Sequence, residues 1–154
     1  SDVGDDPKVS ALVYVAARAP AAGEDFLTLQ QHFPNTPARA GIVTMAGYTT
    51  LSQSAFLDDF ASGVSKREAM VLFAEQGATA ASLFGDRTSA TAWAAKPSYY
   101  AVSRQDRTIA PEFERYLANR MHATTIELDA GHLSMVTKPR EIADLIIRAA
   151  GIEL

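Results

Sequence analysis

The 154-residue sequence contains no cysteine, which excludes disulfide bonds, thiolate metal sites and cysteine nucleophiles. No apolar stretch reaches the roughly 18 residues that a membrane-spanning helix requires. Lysine and arginine never form a run longer than the pair Lys66 and Arg67, and the formal net charge is −4. Nucleic acids and anionic membranes demand clustered positive charge, so we expect neither as a partner.

The first residues also lack a secretory signal peptide, because SDVGDD is acidic rather than basic and apolar. The stretch GDDPKV is typical of the turn after a helix, and the first residue is not methionine. We therefore expect a piece of a longer protein and a cytoplasmic location. A natural half-length product that works with a partner, or that has no catalytic activity, is the alternative.

Apolar runs and amphipathic helices alternate in the last third of the chain. Residues 98–103 and 123–129 are predicted strands, and residues 111–121 and 139–150 are predicted helices, the second with Ile142, Leu145, Ile146 and Ala149 inward. Near the start, VSALVYVAA (9–17) is predicted as a strand buried on both faces. The pattern predicts the α/β class, with a short parallel sheet and flanking helices.

Residues 20–95 have a different character. Up to residue 53 they are rich in proline and glycine, and GIVTMAGYTTLS predicts a small hairpin. Helices follow, with Ser54 and Ser65 as expected N-caps and with Asp58 and Asp59 on a solvated face.

Two polar residues stand where predicted parallel strands end. Asp106 follows the strand at 98–103, and His132 follows the strand at 123–129. Ligands of such sheets bind beyond the carboxyl ends of the strands, so both residues are candidates for a site. Alternatively, Asp106 is a turn residue in RQDRT and His132 is a polar residue before a helix.

The other histidines favour structural explanations. His32 lies in a loop rich in proline and asparagine, with too few candidate ligands around it for a metal site. His122 follows a helix, where it would interact with the negative end of the helix dipole. We predict no metal site.

The segment SYYAVSRQDRTIAPEFERYLANRMHATTIELDAGHLSMVTKPREIADLI resembles the C-terminal third of an α/β-hydrolase. ALVYVAARAPAAGE resembles the strand and loop after the nucleophile helix in the small esterase and hydroxynitrile-lyase-like branch of that superfamily. The resemblance implies a hydrolase core at residues 1–19 and 96–154 and a helical cap at residues 20–95. It places the catalytic aspartate at Asp106 and the catalytic histidine at His132, in the family's order.

The chemistry implied by this resemblance is hydrolysis of a small ester by a Ser/His/Asp triad without a cofactor. A histidine can take a proton from a hydroxyl near neutral pH if a buried carboxylate holds the correct tautomer. The family's nucleophile motif, G-x-S-x-G, is absent from the sequence. Ser65, in GVSKR, lacks the second glycine and is expected to be a helix cap. We therefore expect the isolated chain to be inactive.

Two other functions remain open. Hydroxynitrile-lyase chemistry in this branch needs a lysine of the cap, and Lys66 and Lys96 are the candidates. A non-catalytic interaction module would use the exposed edge of the sheet. In either case the strand at 11–17 lacks one neighbour that the family has, so we expect it to pair with the missing N-terminal half or with a second copy.

Overall fold

The computed structural model describes residues 2–152 and contains a parallel and an antiparallel sheet. The strands in chain order are β1 (Leu12–Val15), β2 (Ile42–Met45), β3 (Tyr48–Leu51), β4 (Thr79–Ala80), β5 (Ser98–Ser103) and β6 (Thr124–Leu128). The α-helices are α1 (Phe26–Gln30), α2 (Gln53–Ala55), α3 (Lys66–Ala74), α4 (Pro111–Arg120), α5 (Ser134–Thr137) and α6 (Pro139–Ala149). A π-helical turn, Phe56–Phe60, follows α2 directly, and single 3-10 turns occur at Asp2–Asp5, Pro37–Gly41, Ala81–Phe84 and Ala92–Ala94.

The parallel sheet has the strand order β1-β5-β6, which confirms the predicted sheet and its α/β class. Its central strand, β5, is the most deeply buried element, with Tyr100, Ala101 and Val102 wholly inaccessible. Helices cover both faces, because α4 and α6 each follow a strand and return across opposite sides. Phe113 of α4 packs against Tyr100, and Leu145 of α6 packs against Ala101.

The inward face of α6 is narrower than predicted. Ile142 and Leu145 are buried, but Ile146 is 49% exposed, so its predicted inward position is wrong. Ile146 lies roughly 100° around the helix from Leu145, and a sheet of three strands is too narrow to cover that side as well.

Strand β1 lies at an edge of the sheet, paired only with β5 among the described residues. All four of its residues are half-buried, so the prediction of burial on both faces is wrong. The amide groups of Leu12 and Ala16 donate to β5 residues or to Pro97 just before them. Because successive amides alternate in direction, those of Val13 and Val15 point away from the sheet.

Residues 20–95, here called the middle segment, hold the antiparallel sheet β2-β3-β4. The predicted hairpin is present as β2 and β3, and its turn residues Ala46 and Gly47 have φ values of 50° and 82°. Positive φ at both positions defines the type I′ turn that suits a two-residue hairpin. Strand β4 has only two residues, too few for a sequence pattern to predict.

The helix caps of the middle segment agree in part with the sequence. Ser65 caps α3 as expected, with its hydroxyl accepting from the amide of Glu68. The cap of α2 is Ser52 rather than Ser54, because Ser52 accepts from the amide of Ala55. The segment packs Phe56 and its neighbours against Leu133, which follows β6. That residues 20–95 form a separate cap stays a prediction.

Between residues 2 and 152, no helix combines the length and the hydropathy that crossing a bilayer would take.

Candidate active site

The loops after β5 and β6 lie side by side at the carboxyl edge of the parallel sheet. The amide of Gln105 donates to the carbonyl of Ala130 at 3.0 Å, which ties the two loops together. Asp106 follows Gln105 directly and His132 lies two residues after Ala130, so the sheet brings both candidates to one place.

The carboxylate of Asp106 is fully buried and well hydrogen-bonded. Its Oδ1 accepts from the backbone amides of Thr108 at 2.6 Å and Ile109 at 2.9 Å. Its Oδ2 lies 2.7 Å from Nδ1 of His132. These partners offset the cost of removing the carboxylate from water. The loop therefore holds Asp106 with one oxygen directed at His132.

His132 is oriented by this bond. A carboxylate only accepts, so Nδ1 carries the donated proton and Nε2 is left as an acceptor. Phe60 packs against the imidazole with ring centroids 4.9 Å apart, and the side chain is 17% exposed. No hydroxyl group among residues 2–152 hydrogen-bonds to Nε2. A histidine held in this way can accept a proton at Nε2.

The backbone before His132 needs glycine at residue 131. A Cβ at Gly131 would lie only 2.4 Å from Oγ and 2.5 Å from the carbonyl oxygen of Ser62. Atoms this close would force the histidine loop away from the middle segment. Gly131 thus permits the close approach that also places Phe60 on the imidazole.

The middle segment also holds the loop of Asp106 from the other side. Arg107 forms an ion pair with Asp59, with Nε 2.7 Å from Oδ1. The hydroxyl of Thr36 donates to the carbonyl of Thr108 at 2.8 Å. Asp59 is buried, so its predicted solvent exposure is wrong. The sequence offered no signal for this pairing, because the partners are 48 residues apart.

A second carboxyl group, that of Glu114 on α4, is fully buried near Asp106. Its Oε2 accepts from the amide of Ser103 at the end of β5, at 3.0 Å. Burial, and then the negative charge of Asp106, raise the pKa of Glu114 to about 10. Glu114 is thus a neutral acid at pH 7. The sequence gives no indication that Glu114 is buried, because a glutamate in the first turn of an amphipathic helix is usually exposed.

A cavity of about 760 Å³ lies between the sheet edge and the middle segment. His132 and Leu133 line it on the side of the sheet. Apolar residues of the middle segment, including Phe60 and Leu72, line the other side, and Arg18 from the loop after β1 also reaches it. The volume is large enough for a small organic ligand.

The remaining candidates lie away from this cavity. Lys96 donates to the carbonyls of Asp6 and Val9, and Lys66 is exposed at the start of α3. Neither lysine lines the cavity. His32 and His122 are exposed. Within the part of the chain that the structure describes, no group of three potential ligands could hold a metal ion.

A parallel sheet covered by helices on both faces, with polar residues at its carboxyl edge, defines an open α/β fold with its site at the strand ends. Residues 3–145 match the Alpha/beta hydrolase family, and the chain belongs to that family. No curated protein matches the sequence significantly.

Solved structures share the fold. An extracellular alpha/beta-hydrolase from a Paenibacillus species has 19% identity and a TM-score of 0.71, with 96% of this chain and 64% of that chain covered. Polyneuridine aldehyde esterase has 15% identity and a TM-score of 0.74, with 93% and 63% covered. A pyrethroid hydrolase from Sphingobium faniae has 18% identity and a TM-score of 0.71, with 97% and 64% covered.

The chain therefore spans less than two thirds of the length of these relatives. At identities below 20% the likeness establishes the fold that they have in common.

Proposed function

We propose that this chain supplies the histidine and the aspartate of a serine hydrolase that cleaves small esters. The observation that carries the proposal is the 2.7 Å hydrogen bond between His132 and Asp106, on an imidazole that lines a cavity. Similar structures bear the names of esterases and hydrolases, which supports ester hydrolysis as the chemistry. Neither candidate lysine reaches the cavity, so nothing favours hydroxynitrile-lyase chemistry.

In the proposed reaction, Nε2 of His132 accepts the proton of a serine hydroxyl as its oxygen attacks the ester carbonyl. The same nitrogen then gives the proton to the departing alcohol. Asp106 keeps the imidazole in the required tautomer and stabilises the imidazolium that forms. Water hydrolyses the resulting acyl-serine by the same proton transfers in a second cycle.

The serine of this triad comes, in our proposal, from a polypeptide segment outside these 154 residues. The sequence contains no G-x-S-x-G motif. The outer edge of β1 offers the amides of Val13 and Val15 to a further strand, since the sheet beyond β1 ends there among the described residues. We propose that this edge pairs with sequence upstream of residue 1 or with a second copy of the chain.

The first test is an esterase assay on the isolated chain. We expect no hydrolysis of p-nitrophenyl acetate above that of the His132→Ala variant, because the sequence lacks the nucleophile motif of the family. Treatment with a fluorophosphonate, followed by mass spectrometry, should leave every serine unlabelled. Hydrolysis that the reagent blocks, with the label on a serine of this chain, would contradict the proposed source of the nucleophile.

The second test joins the chain to the sequence encoded upstream of Ser1 in its source. The joined protein should hydrolyse the ester, and His132→Ala or Asp106→Asn should lower kcat by about 10³-fold or more. Asp58→Asn, which removes an exposed carboxylate of the middle segment, should leave kcat unchanged. Activity that survives His132→Ala would refute the assignment. A joined protein that binds ligands without hydrolysing them would favour the interaction module.

A further inference from the structure

Arg18 is presented to the cavity by a rigid piece of backbone. The chain leaves β1 through Ala16, whose φ of 42° lies in the left-handed region that residues other than glycine adopt rarely. The buried hydroxyl of Tyr100 donates to the carbonyl of Ala17 and accepts from its amide. Two contacts on one residue fix the backbone next to Arg18, so the arginine starts from a defined position.

The guanidinium of Arg18 is held between two aromatic rings. Its Cζ lies 3.9 Å from the ring centroid of Phe26 and 4.0 Å from that of Phe84. Both phenylalanines line the same cavity as His132. The two rings are tilted by 50° to one another and both contact the guanidinium, which restricts its position at the cavity.

No acidic residue among residues 3–152 forms an ion pair with Arg18. Arg18 forms none of the ion pairs between described side chains. The nearest acids in sequence are engaged elsewhere, Glu24 with Arg120 and Asp25 at the N-terminus of α1. Burial lowers the pKa of Arg18 to about 10, with no carboxylate to oppose the shift. The group is therefore charged at pH 7 and has no counter-ion among the described side chains, which is costly for a partly buried cation.

We propose that Arg18 binds a carboxylate of the ligand, so that the ester taken by this cavity carries a free carboxylate elsewhere in the molecule. A monoester of a short dicarboxylic acid has this chemistry. Its ester end would face His132 and its carboxylate would accept hydrogen bonds from the guanidinium, whose forked donors match a carboxylate. This inference rests on the proposed ester hydrolysis for the ester end and on the Arg18 site alone for the carboxylate.

The test is binding, measured by calorimetry or by NMR titration of the 154-residue chain. The probes are monomethyl glutarate and its uncharged counterpart, dimethyl glutarate. We expect the monoanion to bind about tenfold more tightly at low ionic strength, as a charge-assisted hydrogen bond would give. Added salt should reduce this preference.

Variants separate a binding role of Arg18 from a structural one. Arg18→Gln should abolish the preference for the monoanion and leave the affinity for the diester unchanged, whereas Arg18→Lys should retain part of it. Arg39→Gln is the matched control, because Arg39 lines the same cavity but is hydrogen-bonded to Asn35. Far-UV circular dichroism checks that the variants fold. If Arg18→Gln does not fold, the preference for the monoanion is compared between the wild type and Arg18→Lys.

Equal affinity of the wild-type chain for the two probes would overturn the inference. So would a preference that survives Arg18→Gln or that disappears in Arg39→Gln. Because binding needs no turnover, these results are independent of the proposed hydrolysis. In the His132→Ala variant the preference should persist, and its loss there would also count against a site at Arg18.

Discussion

The part of the chain from residue 96 onward and the middle segment differ in how their side chains are used. Strand β5 and helix α4 bury Tyr100 and Phe113 completely. In the middle segment, Met45 and Tyr48 at the tip of the hairpin are 79% and 55% exposed. The His132–Asp106 pair lies in the part from residue 96 onward, and most of the cavity wall comes from the middle segment. The two regions meet at the pair itself, because Phe60 of the cavity wall packs against the imidazole of His132.

The largest effect on stability should come from the core of the part from residue 96 onward. Phe113→Ala removes a fully buried ring that packs between β5 and Phe33. We expect the free energy of unfolding to fall by about 3–5 kcal/mol in urea denaturation, because a cavity remains where the ring was. Val71→Ala on the exposed side of α3 should change it by less than about 0.5 kcal/mol. Similar losses of stability in both variants would contradict the difference in burial between the two regions.

The next effect concerns the buried acid beside Asp106. Glu114 keeps its proton when folded up to a pKa of about 10, but releases it above about pH 4.5 when unfolded. The folded state therefore binds one more proton over this range, and stability must fall as pH rises through it. Glu114→Gln should flatten that decline, whose slope is at most about 1.4 kcal/mol per pH unit.

The measurement for Glu114 is urea denaturation at pH 5, 7 and 9. Glu112→Gln, at an exposed position in the first turn of the same helix, is the control and should leave the pH dependence as it is. A Glu114→Gln variant with the slope of the wild type would mean that the carboxyl group ionises in the folded state.

A smaller effect should come from the ion pair that joins the two regions. Arg107→Gln leaves the buried carboxylate of Asp59 without its partner, which should cost about 1 kcal/mol because Arg107 itself is half-exposed. Adding Asp59→Asn should recover part of the loss. A double-mutant cycle measures this coupling, and additive losses would show that the two side chains do not interact.

The smallest effect on stability is expected at the edge of β1, where the effect on association is large. Val13→Pro removes an amide that points away from β5, so the sheet keeps its hydrogen bonds. We expect the wild-type chain to associate at micromolar concentration in sedimentation velocity and the variant to do so less.

The matched control for the edge is Thr44→Pro. It removes an outward amide from β2, the edge strand of the other sheet, because the hairpin pairs its neighbours Val43 and Met45 instead. Weaker association in Thr44→Pro than in Val13→Pro, or a wild-type chain that sediments as a monomer, would contradict pairing through β1.

Much of the part from residue 96 onward could be predicted from sequence because the sequence patterns that indicate its elements are local. Apolar runs of strand length, Pro111 at the first turn of α4 and the loops that carry Asp106 and His132 each depend on a few consecutive residues. Parallel strands then share one carboxyl edge, so the contact between the two candidates follows from topology.

The rest depended on contacts between distant residues. The sequence around Asp59 predicts a surface acid, but Asp59 pairs with Arg107, which lies 48 residues away. Nothing close to Arg18 in sequence indicates that Phe26 and Phe84 contact its guanidinium. The exposure of Ile146 depends on how wide the sheet is, which no helix period reveals. Such features arise when the chain folds back on itself, and a local pattern does not encode them.

The hydroxyl of Tyr100 binds Ala17, a residue 83 positions away in the sequence, and this separation bears on the order of folding. Strands β5 and β6 are joined by α4 alone, so they can pair with a short loop to close. Strand β1 has to close a far longer loop before its first hydrogen bond to β5 forms. We therefore expect β1 to dock last, with the β5–α4–β6 unit as the early folding nucleus. On a ribosome, β1 would emerge before β5 and β6 and wait for its partner strand.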